Sequence, residues 1–317
     1  MSAAAAPQGA NGADIVALGE AMIEFNQARA DDPRTYLQGF GGDTSNMAIA
    51  AARVGARAGY VTHVGDDAFG RMLLALWKEE GVSTAGVATD AAAPTGVYFV
   101  THGQQGHEFS YLRAGSAASR MTPATLPRAL IRGAKILHVS GIRQAISATA
   151  CDASLAAMDE ARAAGVRVSY DTNLRLKLWP LPRARAVILA SLARCDFCVP
   201  SQDDARLLFD TDDEDAIIGA CHRAGAPVVV LKRGARGCVV SDGTRTAAFD
   251  GHVVASVDAT GAGDCFDGAF AARIVSGDDP FAAARYANAA AAVATTGFGA
   301  VAPLPRDAAV RAQLARA

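Results

Sequence analysis

The stretch Asp258-Ala-Thr-Gly261-Ala-Gly-Asp264, followed by Cys265-Phe-Asp-Gly-Ala-Phe-Ala-Ala272, sets the reading of the whole chain. Two glycines let a turn approach an anion closely, and the apolar run behind them predicts a helix. Backbone amides at such a helix start face an anion, with the positive end of the macrodipole behind them. Gly261, Ala262 and Gly263 are therefore candidates for a phosphate cradle. Asp264, at its mouth, is the candidate to take a proton from an attacking hydroxyl. No G-x-x-x-x-G-K-[ST] occurs in the chain, and the third glycine of a dinucleotide fingerprint is missing. Neither a Walker A loop nor a Rossmann turn accounts for the segment.

Outward from this loop, short apolar runs alternate with helical patterns. Strands are predicted at 15–18, 58–64, 136–140, 166–171, 197–200 and 228–232, and helices at 45–54, 69–80, 150–164, 184–194 and 214–224. The alternation implies βαβ units, a mostly parallel sheet and helices on both faces. Ligands of such sheets bind beyond the carboxyl ends of the strands. Two regions break the pattern: 22–26 with 36–40, and 96–100 with 108–112, read as hairpins. Together they predict a small sheet that covers one end of the domain.

Composition bounds the rest. With 317 residues, 51% hydrophobic and 20% charged, the chain suits one large domain with a substantial core. A net charge of -2 without a basic patch argues against nucleic-acid or membrane-surface partners. No apolar run approaches the ~20 residues of a membrane span. Residues 1–12 are small and polar without a basic n-region and are expected to form a disordered tail, with 311–317 a C-terminal tail. Six scattered cysteines suit a reducing cytoplasm. Cys195-Asp-Phe-Cys198 has CxxC spacing but no second pair or nearby histidine, and reads as a buried strand rather than a metal or redox site.

Polar motifs follow the predicted strands. In Phe40-Gly-Gly42-Asp43-Thr-Ser-Asn46, Asp43 and Asn46 can hold sugar hydroxyls; the alternative is an N-capping turn with Thr44 or Ser45 as cap. Asp171-Thr-Asn173-Leu-Arg175 puts an acid, an amide and a guanidinium at one strand end, and Arg175 can grip a carboxylate or phosphate bidentately. Ser201-Gln-Asp-Asp204 follows the next strand and can reach a metal or its waters, or simply start a helix. Lys232-Arg-Gly234-Ala-Arg-Gly237 suits a tight turn beside a nucleotide.

Taken together, these motifs make the chain resemble the ribokinase-type (PfkB) carbohydrate kinases over residues 13–310. Gly41-Gly42 with Asn46, Gly55 and Gly65 is similar to that family's N-terminal signature, and Asp258 through Phe270 to its C-terminal one. One departure is Ser201-x-x-Asp204, where many members have Asn-x-x-Glu: the acid is retained but shortened. The resemblance implies a ribokinase-like α/β/α sandwich with a mostly parallel central sheet. Its small β-sheet lid would come from strands at about 20–40 and 94–113. It implies ATP and Mg²⁺ as cofactors, a monovalent-cation site near Asp258 and 294–299, and a cytoplasmic enzyme able to self-associate through the lid.

Within the family, Gly19-Glu-Ala-Met-Ile-Glu-Phe25, Tyr111-Leu-Arg113 through Ser119, Val139-Ser-Gly-Ile142 and Asp171 through Trp179 are similar to 2-keto-3-deoxygluconate kinases. The implied substrate is a sugar acid resting against Gly42, Asp43 and Asn46. Arg113 and Arg175 would supply the cations it needs, and Tyr98 and Tyr111 the hydrogen bonds to its carboxylate and keto group. The implied ATP site comprises Asn173, Ser201, Lys232, Gly234, Gly237, Gly261, Gly263 and Asn288, with Asp204 reaching Mg²⁺ through water. Other kinase substrates (fructose, ribose, 5-dehydro-2-deoxygluconate) and a non-catalytic sugar-acid binding protein are the alternatives.

Overall fold

The computed structural model describes residues 12–29, 31–103 and 106–316. The expected N-terminal tail lies, apart from Gly12, outside the described residues. Thirteen strands run in chain order among them: β1 Ile15–Leu18, β2 Met22–Arg29, β3 Asp32–Gly41, β4 Ala58–Gly65, β5 Ser83–Asp90, β6 Val97–Gly103, β7 Gly106–Leu112, β8 Ile136–Ser140, β9 Arg167–Asp171, β10 Phe197–Cys198, β11 Val228–Lys232, β12 Cys238–Ser241 and β13 Thr246–Phe249. The helices are α1 Asp43–Arg53, α2 Ala68–Glu79, α3 Arg128–Arg132, α4 Gly141–Ala145, α5 Ala148–Ala163, α6 Leu181–Leu192, α7 Gln202–Phe209, α8 Glu214–Arg223, α9 Ala262–Val275, α10 Pro280–Ala294 and α11 Asp307–Leu314.

Nine strands form the main sheet in the order β13-β12-β11-β10-β9-β8-β1-β4-β5. All pairs from β11 to β5 are parallel, and β12 and β13 close one edge antiparallel. Strand β1 shows why helices must cover both faces. All four of its residues are buried, Ile15 and Ala17 in one apolar cluster and Val16 and Leu18 in the other. The first cluster takes in α1, α9 and α10, and the second α5 and α6. The result is the three-layer α/β/α arrangement.

The remaining strands form a second sheet, β3-β2-β6-β7. The two expected hairpins are present, Ile23 opposite Phe40 and Val97 opposite Leu112. They join through a parallel β2–β6 contact. The chain end departs from expectation. Residues 311–314 continue α11, which buries Val310 and Gln313 and is no free tail. The CxxC segment is interior: Cys195 and Cys198 are both buried, and burial raises the Cys198 thiol well above its usual range.

Candidate active site

The carboxyl ends of the parallel strands open into a cleft of about 1520 Å³, and the second sheet forms one wall of it. Every residue singled out above for the sugar, ATP, base or magnesium lines this cleft; Asp258, of the implied monovalent-cation site, does not. Gly42, Asp43 and Asn46 come from the start of α1, and Tyr98, Tyr111 and Arg113 from the second sheet and its exit. Asn173, Arg175, Ser201, Asp204 and Lys232 follow β9, β10 and β11. Gly234 and Gly237 form the next turn, Gly261 to Asp264 open α9, and Asn288 projects from α10.

The floor is built by α9. Gly261 sits at φ 75°, a left-handed conformation that favours glycine, and an added Cβ would come within 2.9 Å of the Ala300 carbonyl oxygen. No side chain caps this helix start; the Ala262 amide donates to the Ala259 carbonyl at 3.2 Å, and the Gly263 and Asp264 amides stay available to an anion in the cleft. Asp264 is half-buried and its Oδ2 accepts from Asn46 Nδ2 at 2.8 Å. Burial, and then the neighbouring Asp43 charge, push its pKa up to about 7. A carboxylate held there can accept a proton near neutral pH.

One turn further along α9, Asp267 is fully buried. Lys232 Nζ donates at 3.1 Å both to Asp267 Oδ1 and to Asp171 Oδ2. Burial would raise Asp171, but the Lys232 charge and the hydrogen bonds to Asp267 and Lys232 together outweigh it and hold that carboxyl below the usual range. Asp267 is driven well above its ordinary value, chiefly by burial. Lys232 thus ends β11 as a cation locked between two acids, and its Nζ is 3.6 Å from where a Cβ on Gly263 would stand.

Beside the floor, Asn173 adopts a left-handed φ of 29° and donates from Nδ2 to Asp43 Oδ2 at 2.9 Å. Asp204 Oδ2 accepts from the Leu174 amide at 3.0 Å, and burial together with the Asp171 charge raises its pKa. Ser201 caps α7, accepting from the Asp204 amide at 3.1 Å. No group of three His, Cys, Asp or Glu able to hold a metal occurs among the described residues. Asp204 lies in the cleft beside Ser201 and Arg175, and a divalent ion near it would take most of its ligands from water and phosphate, the usual habit of magnesium. Asn288 Nδ2 is engaged by the Asp250 carbonyl at 2.7 Å, tying α10 to the 250–257 segment.

The sugar wall differs from expectation in two places. The Arg113 guanidinium does not stand free. Its Nε and Nη2 donate to Glu20, which is 3% exposed and also accepts from Ser116. A buried carboxylate needs such partners, and here they fix the guanidinium, leaving Nη1 unengaged among the described residues. The Tyr98 hydroxyl proton goes to Glu24, so Tyr98 presents an accepting oxygen to the cleft rather than a donor. Tyr111 stacks on Tyr98 with ring centroids 5.7 Å apart and lies under the Arg113 guanidinium. Nor do Thr44 and Ser45 cap α1: the N-cap is Gly42, and the two hydroxyls are buried against Tyr60 and Trp77. Glu20, Glu24 and Asp267 went unassigned in the sequence, although Glu20 and Glu24 stand in the quoted Gly19–Phe25 motif.

A model of pfkB family carbohydrate kinases matches residues 13–307. The 2-dehydro-3-deoxygluconokinase of Thermoproteus tenax is 37% identical over 309 residues, covering 93% of this chain and 92% of that protein. Fructokinase-1 of Oryza sativa subsp. japonica is 36% identical over 311 residues, 92% of this chain and 95% of the relative. Among solved structures, the fructokinase with bound ATP from Xylella fastidiosa superposes with a TM-score of 0.88 at 26% identity, covering 96% of this chain and 98% of that one.

Proposed function

The chain belongs to the pfkB family of carbohydrate kinases, phosphotransferases that act on a sugar hydroxyl, and from that premise we propose that its acceptor is a keto-deoxy sugar acid. The reaction is transfer of the terminal phosphoryl group of ATP to the terminal primary hydroxyl of 2-keto-3-deoxygluconate, giving the 6-phosphate. One observation carries the choice of substrate. Arg113, oriented by Glu20 with Nη1 unengaged, shares the cleft with Arg175, an exposed guanidinium whose one hydrogen bond is to the neighbouring Leu174 carbonyl. Two guanidiniums around one sugar suit a carboxylate better than a neutral ketose.

The chemistry follows from the floor. Asp264 takes the proton of the attacking hydroxyl as its oxygen meets the γ-phosphorus, and Asn46 holds the carboxylate in the required rotamer. The amides at the start of α9 receive charge building on the transferring oxygens, and Lys232 stands behind them. Magnesium, when bound, neutralises phosphate charge, and Asp204 would hold it through water. The second sheet acts as a lid that excludes water during transfer.

A second reading, a fructokinase, is favoured by the neutralisation of Arg113 by Glu20 and by the rice relative. Coupled detection of ADP with 2-keto-3-deoxygluconate, its galactonate epimer, fructose and ribose decides between them. The sugar acid should give the highest kcat/KM by about tenfold or more. A higher value for fructose would make the second reading correct.

A further inference from the structure

Behind the sugar wall lies a charge that the scheme above leaves unused. Arg143, in α4 just after β8, is 0% exposed. Its Nη1 donates to the Ala118 carbonyl at 2.7 Å, while Nε and Nη2 have no hydrogen-bond partner among the described residues. A guanidinium taken out of water with one hydrogen bond costs stability unless other charges compensate it. Burial lowers its pKa to about 10, so it is still cationic at neutral pH. The groups whose fields it feels most are Glu20, Tyr60, Arg113 and Asp43, and its neighbour Ile142 lines the cleft.

Two features place Arg143 in the same device as Arg113. Its hydrogen bond to Ala118 pins the turn that runs from Arg113 through Ser116, and both of those residues hold Glu20. Its charge also changes the balance of the wall. Glu20 and Arg113 alone cancel, and Arg143 sets a second guanidinium against the other acid in its field, Asp43, in a poorly solvated place. We infer that Arg143 is a positioning residue for an anionic substrate, offsetting the Asp43 charge beside the Glu20–Arg113 pair and holding the segment that follows Arg113. This inference rests on the sugar-acid reading, and it explains how Arg113 serves that reading although Glu20 neutralises it.

The test compares wild type, Arg143→Met and Arg143→Lys with 2-keto-3-deoxygluconate and with fructose, at equal protein folding monitored by thermal melting. Methionine keeps much of the volume and removes the charge; lysine keeps the charge. In Arg143→Met the KM for the sugar acid should rise about five- to tenfold, while KM for ATP and kcat stay within about threefold. Arg143→Lys should recover most of the acid affinity. If Arg143→Met does not fold, Arg143→Lys carries the test: wild-type-like preference for the acid supports the charge role, and loss of that preference overturns it. Equal losses for acid and fructose in Arg143→Met mean a merely structural arginine and overturn the inference, as does an unchanged acid KM. A wild-type enzyme that prefers fructose overturns the sugar-acid reading itself, whereas an acid preference that survives Arg143→Met overturns this inference alone.

Discussion

The floor and the sugar wall of the cleft are charged in opposite ways. At the floor, Asp171 and Asp267 share one lysine, while Asp43 and Asp264 each have an asparagine amide as hydrogen-bond partner. At the wall, each acid already has its partner: Glu20 takes Arg113 and Ser116, and Glu24 takes the Tyr98 hydroxyl. Burial beside a second acid, with no cation paired to it, is what raises Asp264 into the range of a general base. Saturation is what holds a side chain in one geometry for recognition. The floor is thus suited to a reaction common to many sugars, and the wall to choosing among them.

The largest effect should come from the floor. Asp264→Asn keeps the shape and a hydrogen bond to Asn46 but cannot take a proton, so kcat should fall by on the order of 10²–10⁴ while ATP binding stays within about threefold. Near-normal turnover would remove Asp264 from the base role. The pH dependence checks the same group. In wild type, kcat/KM should decline as pH falls through about 7, where Asp264 becomes protonated. Stability moves the other way. The folded pKa is raised above the ordinary 3.8, so the folded protein binds more protons between about 3.8 and 7, and stability falls as pH rises through that window. Asp264→Asn should therefore melt higher than wild type at pH 8 and show little gain at pH 4.

Next in size is Lys232→Met. It strands Asp171 and Asp267 without their cation, and breaking a buried pair from one side typically costs about 3–5 kcal/mol. Urea unfolding at pH 8 should show a loss of that order, shrinking at pH 5 as the stranded acids take up protons. Because Lys232 also holds the Asp264 pKa down, the acid limb of the rate profile should move above 7. An unshifted limb would separate the lysine electrostatically from the base.

Much of this was legible in the sequence, for definable reasons. Parallel strands buried on both faces read as unbroken apolar runs, as Ile15–Leu18 does. The strand Ser83–Asp90 carries no apolar run because half its residues are polar and only one is buried, and Thr246–Phe249 is a short edge strand. Gly261 and Asp264 announced themselves because a glycine turn running into an apolar helix is a local pattern. The pairs that set the electrostatics are not local: Lys232 lies 35 residues from Asp267, and Glu20 lies 93 from Arg113. Spacing carries no signal for such pairs. Arg143 offered a weak one, as a lone arginine near the buried strand Ile136–Ser140.

The smallest predicted effect probes the boundary between floor and wall. Arg175 is exposed, makes no ion pair among the described residues, and donates to its neighbour's carbonyl at 2.8 Å. Removing an exposed, unpaired guanidinium should leave the melting temperature within about 1 °C. Its charge nevertheless acts on both Asp43, proposed for the sugar, and Asp204, proposed for the magnesium water shell. If Arg175 serves the wall, Arg175→Ala should raise KM for the sugar acid about three- to tenfold and leave KM for ATP alone. If it serves the floor as a phosphate contact, the two constants exchange places. A rise in KM for ATP alone would therefore transfer Arg175 from the wall to the floor and leave Arg113, with Arg143 behind it, as the cations that recognise the acid.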